Sequence, residues 1–124
     1  MPWTSRKTTR ELGQQTEESA ASYLANQGLH LQAKNFHSRQ GEIDLIMREG
    51  NTCVFVEVKY RKSAKYGDSS EMVSYQKQQK IRQCAAFYLQ QQGLNEYNTE
   101  CRFDVVALQG DINHPKITWL KNAF

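Results

Sequence analysis

The chain has 124 residues, of which 39% are hydrophobic and 23% charged, and this is the composition of an ordinary globular protein. The length predicts one domain over residues 1–124, with residues 1–8 as a flexible tail, and the longest apolar run is too short to cross a bilayer. The N-terminal segment lacks an apolar run of signal-peptide length, so we expect a cytoplasmic protein. A net charge of +3 permits an anionic partner without requiring one.

Cysteines and histidines do not indicate a disulfide framework or a zinc site. The three cysteines are widely spaced and form no CxxC pair, which is typical of reduced thiols in a core. The three histidines show no spacing typical of metal ligands. These residues are Cys53, Cys84, Cys101, His30, His37 and His114.

The first predicted element is a helix over residues 9–27, followed by Gly28 as a helix terminator. Its apolar stripe, with residues at positions i, i+3, i+4 and i+7, includes a carboxylate. The stripe consists of Glu17, Ala20, Ala21 and Leu24. A charge on a packing face needs a partner, so Glu17 either pairs with Lys or Arg at the edge of the stripe or faces a polar site.

A half-exposed strand is predicted over residues 29–36, and two more strands follow as a hairpin. The hairpin strands include GEIDLI (41–46) and FVEVKY (55–60), and Gly50-Asn51 suits a two-residue turn between them. A polar loop then leads to a second helix, which is capped by Ser69 or Ser70 and runs to about residue 92.

Two last strands, CRFDVVAL (101–108) and KITWL (116–120), complete the order α-β-β-β-α-β-β. This order predicts an α/β fold with a central mixed five-stranded sheet flanked by helices. Arg102 and Asp104 alternate onto one face of their strand, and we expect a structural ion pair there.

The hairpin register brings two carboxylates together. With a two-residue turn, Asp44 lies opposite Glu57 and Glu42 lies opposite Lys59, and opposed Cβ atoms are about 5 Å apart. Carboxylates at that distance repel by roughly 3 kcal/mol at an effective dielectric constant of 20. A nearby cation such as Lys59, protonation of one acid, or a bound divalent metal would offset this repulsion. On geometry alone, a salt-bridged sheet face and a metal site are equally good explanations.

Five segments in this order resemble the YraN-like family of small bacterial endonuclease-like proteins, within the PD-(D/E)XK nuclease superfamily. The segments are GQQTEESAASYL (13–24), GEIDLI (41–46), VFVEVK (54–59), KQQKI (77–81) and RFDVV (102–106). The resemblance covers residues 13–124 and implies a restriction-endonuclease-like core, similar to that of Holliday-junction resolvases. The sequence departs from the pattern at Thr16, where a glycine often precedes the glutamate.

The resemblance also implies a catalytic site. Asp44 and Glu57 would bind one or two Mg²⁺ or Mn²⁺ ions, helped by the backbone carbonyl of Val58, and Glu17 would complete the metal shell. Lys59 would orient or deprotonate the attacking water and stabilise charge on the phosphate.

Basic residues next to this site are the candidates for nucleic-acid contact. The segment YRKSAKY (60–66) begins where the second hairpin strand ends, and its tyrosines are candidates for stacking on an unpaired base. Two residues of the second helix match the family pattern on the face toward the sheet. The nucleic-acid-binding set is Tyr60, Arg61, Lys62, Lys65, Lys77 and Gln78.

The sequence therefore predicts a metal-dependent endonuclease acting on structured or branched DNA. The alternative is a non-enzymatic nucleic-acid-binding accessory module that retains the nuclease fold. The expected partner is nucleic acid, with DNA preferred over RNA, and no membrane contact is expected. Because related resolvases act as dimers, the resemblance also allows for a homodimer.

Overall fold

A computed structural model of the protein describes residues 7–63 and 73–124. The helices and strands are α1 Thr9–Asn26, β1 His30–His37, β2 Glu42–Glu49, β3 Thr52–Arg61, α2 Tyr75–Gln91, β4 Cys101–Gln109 and β5 Lys116–Leu120. The predicted order of elements is confirmed. Of the tail expected at residues 1–8, residues 1–6 lie outside the described ranges. Neither described helix is long and apolar enough to cross a membrane.

The five strands form one mixed sheet in the order β1-β2-β3-β4-β5. Strands β3 and β4 are parallel, and the other three neighbouring pairs are antiparallel. Parallel neighbours need a long crossover connection, and the chain between β3 and β4 contains α2. The α/β fold class and the mixed five-stranded sheet agree with the sequence prediction.

The hairpin of β2 and β3 has the predicted register. Paired residues run from Glu49 and Thr52 at the turn to Leu45 and Val56. Gly50 has a φ of 61°, a left-handed conformation that costs glycine little and suits a tight hairpin turn. The register is therefore fixed by the turn chemistry, as the sequence indicated.

The sheet separates two hydrophobic clusters, because successive strand residues point to opposite faces. On the α1 side, Leu24 packs with residues such as Leu45 and Val56. On the α2 side, Ile81 and Leu89 pack with a different set of strand residues. The main strand residues of that second cluster are Ile43, Ile46, Phe55, Phe103 and Val105.

Helix α1 starts with a capping box between Thr8 and Glu11. The Thr8 side chain accepts a hydrogen bond from the Glu11 backbone N–H, and the Glu11 carboxylate accepts one from Thr8. Thr16, where the family pattern often has glycine, is buried, and its hydroxyl donates to the Leu12 carbonyl oxygen at 2.7 Å. The helix thus accommodates Thr16 by satisfying its hydroxyl internally.

Helix α2 begins later than the sequence suggested. Its N-cap is Ser74, whose hydroxyl accepts a hydrogen bond from the Lys77 backbone N–H at 3.2 Å. The predicted caps Ser69 and Ser70 lie outside the described residues, and α2 starts at Tyr75. Burial of Val73, whose side chain is 3% exposed, fixes the chain just before the helix. The prediction of a start near residue 70 was therefore wrong.

The predicted ion pair between Arg102 and Asp104 is confirmed. Arg102 Nε lies 3.0 Å from Asp104 Oδ1, and Asp104 is completely buried. Asp104 also accepts hydrogen bonds from the Trp119 indole N–H and the Asn122 backbone N–H, while Arg102 bonds to Glu49. This network ties β2, β4 and the C-terminal residues together, as a structural network does.

Strand β1 forms one edge of the sheet and is irregular. Its register with β2 shifts between Leu31 and Ala33, which is the signature of a β-bulge. Further along, Asn35 has a left-handed φ of 50°, and Leu31 is 43% exposed. The bulge and the Asn35 backbone place the Asn35 side chain where it meets α1.

Candidate functional site

The site lies where the paired part of the β2–β3 hairpin ends. The last paired residues are Leu45 and Val56. Asp44 directly precedes Leu45 on β2, and Glu57 directly follows Val56 on β3. The Val58 backbone N–H donates to Asp44 Oδ2 at 2.8 Å. Asp44 and Glu57 line the same two cavities, so the structure brings the two predicted acids together.

Glu57 already has a cationic partner. The Nζ atom of Lys77 lies 2.5 Å from Glu57 Oε1. Lys77 belongs to α2, not to the hairpin that carries Glu57. Glu57 is 6% exposed, so its charge needs such compensation. Burial lowers the pKa of Lys77, but the hydrogen bond and charge of Glu57 outweigh this, and the pKa is raised overall. Lys77 therefore stays protonated beside Glu57.

Asp44 is less well compensated than Glu57. Its pKa is raised to about 7, mainly by burial and next by the charge of Glu57, while the hydrogen bond from the Val58 N–H acts in the opposite direction. Charges on Glu17 and Glu42 add smaller upward contributions. Near neutral pH the Asp44 carboxyl is therefore partly protonated, and its ionised form would be stabilised by an added cation.

Glu17 joins the acid pair from α1. Burial raises its pKa, while hydrogen bonds with Asn35 and Asp44 lower it. Glu17 lines the same cavity as Asp44 and Glu57, so the helix presents this carboxylate to the site. Its position agrees with the polar-site alternative for a charge on the packing stripe.

Two cavities flank the acids, one on each face of the sheet. The α2-side cavity has a volume of about 380 Å³, and the α1-side cavity has a volume of about 300 Å³. The α2-side cavity is lined by Gly41, Glu42, Asp44, Glu57, Ser74, Gln76, Lys77, Lys80 and Ile81. The α1-side cavity is lined by Thr9, Leu12, Gly13, Thr16, Glu17, Asp44, Glu57, Val58 and Tyr60. The acids thus form the wall between a cavity with two lysines and a cavity with a third carboxylate.

The predicted catalytic lysine, Lys59, is two residues after Glu57 on β3. Strand alternation places it on the same face of the sheet as Glu57, the α2 face. The sequence offered Lys59 as a cation for the acid pair, and the structure adds Lys77 of α2 as a cation that pairs with Glu57. This pairing joins residues 20 positions apart, and the strand pattern alone gives no signal for it.

The predicted nucleic-acid-binding residues have different environments. Arg61 and Lys62 are exposed, whereas Lys65 lies outside the described residues. The Tyr60 hydroxyl donates to the Gly110 carbonyl oxygen at 2.6 Å, and its side chain lines the α1-side cavity. The side-chain amide of Gln78, on α2, donates to the backbone carbonyl of Val73 at 2.8 Å.

Sequence reasoning missed several residues of the site. Lys80 lines the α2-side cavity and is absent from the predicted set. Its position one helical turn after Lys77 was the available signal. Asn35, on the edge strand β1, hydrogen-bonds Glu17, and no sequence pattern predicts that contact.

The donor atoms fit a hard divalent cation. Asp44 and Glu57 provide carboxylate oxygens, and Val58 lines the same cavity. Within residues 7–63 and 73–124, no group of three or more His, Cys, Asp or Glu side chains is arranged to hold a metal. Mg²⁺ commonly uses one or two carboxylates together with water and phosphate oxygens, so a two-carboxylate set is sufficient. Glu17 would reach the ion directly or through water.

Fold and site together define an α/β protein with a carboxylate cluster at the open end of a β-hairpin. The chain belongs to the family described as Uncharacterised protein family UPF0102, whose model matches residues 16–108. The family assignment predicted from the motifs is thereby confirmed.

Several relatives match nearly the whole chain. A UPF0102 protein of Colwellia psychrerythraea is 60% identical, and the alignment covers 98% of this chain and 95% of that protein. A UPF0102 protein of Klebsiella pneumoniae is 45% identical over 97% of this chain and 91% of its own length. The UPF0102 protein YraN of Escherichia coli is 44% identical over 94% of this chain and 86% of its own length.

Proposed function

We propose that the protein is a metal-dependent endonuclease that hydrolyses phosphodiester bonds in structured or branched DNA. The observation that carries this proposal is the convergence of Glu17, Asp44 and Glu57 on one cavity wall, with lysines on the opposite side. Phosphodiester hydrolysis needs an activated water and compensation for developing negative charge. Carboxylates next to ammonium groups provide the protein side of both requirements.

Each residue has a distinct task in this proposal. Asp44 and Glu57 would hold Mg²⁺ or Mn²⁺, and Glu17 would support the same ion from α1. When bound, such an ion polarises a phosphate oxygen and lowers the pKa of water. Lys59 would orient or deprotonate the attacking water and stabilise charge on the phosphate. The Val58 N–H fixes the Asp44 carboxylate in its orientation.

Exposed basic residues would hold the substrate backbone. Arg61 is the last residue of β3 and Lys62 follows it, so a phosphate chain passing the acids would also meet them. We include Lys65, Tyr60 and Gln78 in this contact set. Recognition of backbone and DNA shape requires no base contacts.

We further propose that the protein acts in the cytoplasm and pairs as a homodimer on two-strand junctions.

Cleavage of a panel of DNAs tests the proposal. The panel contains junctions, flaps, duplexes and single strands, each incubated with Mn²⁺ and with a chelator. We expect metal-dependent cleavage by the wild type and a loss of at least about 100-fold in Asp44→Asn and Glu57→Gln, because each removes a charged ligand. Cleavage that survives both substitutions would contradict the proposal.

Glu17 allows a matched comparison. Glu17→Gln removes a carboxylate that lines the α1-side cavity, whereas Glu18→Gln removes an exposed carboxylate one residue away. We expect the Glu17 variant to lose activity and the Glu18 variant to keep it. Equal rates for both variants would remove Glu17 from the site.

A second candidate function is a nucleic-acid-binding module without turnover. One observation favours it: Glu57 is already neutralised by Lys77. The charge of Glu57 is therefore compensated without a metal. This alternative predicts salt-sensitive DNA or RNA binding and intact substrate after incubation with Mn²⁺ or Mg²⁺. Turnover of any member of the DNA panel would exclude it.

A further inference from the structure

The ammonium group of Lys77 occupies a position that a metal ligated by Glu57 would need. Lys77 Nζ contacts Glu57 Oε1 at 2.5 Å, which is shorter than a typical charge-assisted hydrogen bond. The side chain of Lys77 is 53% exposed, whereas that of Glu57 is 7% exposed. A lysine has a long flexible stem, so Lys77 can withdraw into solvent while Glu57 stays in place.

Simultaneous binding of both cations to Glu57 is unfavourable. A divalent ion held by Asp44 and Glu57 would lie within a few ångströms of the ammonium group, and like charges at that distance repel strongly in a poorly solvated site. Lys77 also donates to Oε1, one of the two oxygens with which Glu57 could bind the ion. Metal binding and the ion pair are therefore expected to compete.

After withdrawal from Glu57, the Lys77 ammonium group would lie in the α2-side cavity. Lys77 lines this cavity together with Lys80 and Ser74. A phosphate next to a metal held by Asp44 and Glu57 would border that cavity. The ammonium group would then exchange one anionic oxygen, on Glu57, for another on the nucleic-acid backbone.

We propose that Lys77 is a cationic placeholder: it neutralises Glu57 in the metal-free protein, and the arriving divalent ion displaces it onto a substrate phosphate. The inference rests on the proposed function. Lys77 would thereby couple metal binding to nucleic-acid binding. By linkage, each ligand strengthens binding of the other. Metal-free protein would bind divalent ions weakly, which limits reaction without substrate.

Calorimetric titration with Mn²⁺ in the absence of DNA tests the competition. Lys77→Met and Lys77→Gln both remove the competing charge. Lys77→Gln also keeps a hydrogen-bond donor for buried Glu57, so this variant should fold even if Lys77→Met does not. We expect both to bind Mn²⁺ about tenfold more tightly than the wild type, the factor typical of losing one charge-assisted hydrogen bond. Lys80→Met is the matched control from the same cavity and should change affinity by less than about threefold.

The results separate the two proposals. Unchanged Mn²⁺ affinity in the folded Lys77 variants, with binding still lost in Glu57→Gln, would overturn the placeholder role and leave the nuclease proposal standing. Absence of Mn²⁺ binding in the wild type and in both Lys77 variants would overturn both. Circular dichroism of each metal-free variant establishes that the compared proteins are folded.

DNA affinity measured as a function of salt tests the second half of the inference. In Ca²⁺, which also takes oxygen ligands, the wild type should show a log–log salt slope steeper than that of Lys77→Gln by about 0.9, the value for one phosphate contact. In a chelator the two slopes should be equal, because Lys77 then pairs with Glu57. Equal slopes in Ca²⁺ would overturn transfer of Lys77 to phosphate.

Discussion

At the scale of single residues, the site is a set of acids with unequal compensation. Glu57 has Lys77 within hydrogen-bond distance, whereas Asp44 has the backbone N–H of Val58 and three neighbouring carboxylates. The ionised form of Asp44 is therefore destabilised more than that of Glu57. Its protonation state reports directly on the electrostatics of the site.

Asp44 should make the metal-free protein less stable as pH rises. Its pKa is about 7 in the folded chain, against about 3.9 in an unfolded chain. Between these values the folded state binds more protons, so the free energy of unfolding falls with increasing pH, by up to about 1.4 kcal/mol per unit from this group. Urea unfolding from pH 4.5 to 8 measures this.

Asp44→Asn is the control for the pH dependence, because the amide cannot ionise. As pH rises, the wild type should become less stable relative to Asp44→Asn, and this relative loss of unfolding free energy should level off above about pH 8. A difference that stays constant over this range would show that Asp44 titrates normally.

Asp104 should be the acid whose loss costs the most stability. It is fully buried and bonds to Arg102, Trp119 and Asn122. Asp104→Ala leaves these donors without a partner and should lower the free energy of unfolding by about 3–5 kcal/mol. Glu49→Gln, which affects a more exposed partner of Arg102, should cost less than about 1 kcal/mol. Chemical denaturation of both variants checks the contrast.

At the scale of elements, the hairpin was predictable and the start of α2 was not. The register of β2 and β3 follows from the Gly50-Asn51 turn, because a two-residue turn fixes every later pairing. The start of α2 depends instead on burial of Val73, a tertiary contact. Three serines precede the helical pattern within a short segment, and local capping preferences cannot choose among them.

The same difference explains which parts of the site were predictable. Asp44 and Glu57 were found because both lie on one hairpin with a fixed register. The contact of Lys77 with Glu57 depends on how α2 crosses the sheet, and the contact of Asn35 with Glu17 depends on an irregular edge strand. Spacing within one element carries no information about such crossings.

Ser74→Ala tests the N-cap of α2. The substitution removes the acceptor for the Lys77 N–H and should lower the free energy of unfolding by about 1 kcal/mol. Ser74→Thr keeps a hydroxyl at the same position and should recover most of that loss. An alanine variant as stable as the wild type would show that α2 does not depend on this cap.

At the scale of the whole molecule, the site is built from distant parts of the chain. Glu17 comes from α1, Asp44 and Glu57 from the hairpin, and Lys77 from α2, with the two helices on opposite faces of the sheet. Only the folded chain brings these charges together. The exposed basic residues after β3 extend the charged surface beyond the acids.

Lys62 should contribute to nucleic-acid binding through its charge. Lys62→Gln is expected to reduce the slope of log affinity against log salt by about 0.9 on duplex DNA, because one phosphate contact is lost. Arg48→Gln is the control, since Arg48 is also exposed but lies at the turn end of the hairpin. Fluorescence anisotropy over a series of salt concentrations measures both slopes, and equal slopes would place the DNA elsewhere.

The irregular β1 edge limits how copies of the protein can associate. A long, flat edge strand offers free backbone groups that can recruit a second chain into a continuous sheet, and this leads to aggregation. The bulge at Leu31 and Ala33 and the left-handed Asn35 interrupt that template. A symmetric pair acting on a DNA junction should therefore not form by extending the sheet at β1, and the same irregularity should help to protect this edge against fibre formation.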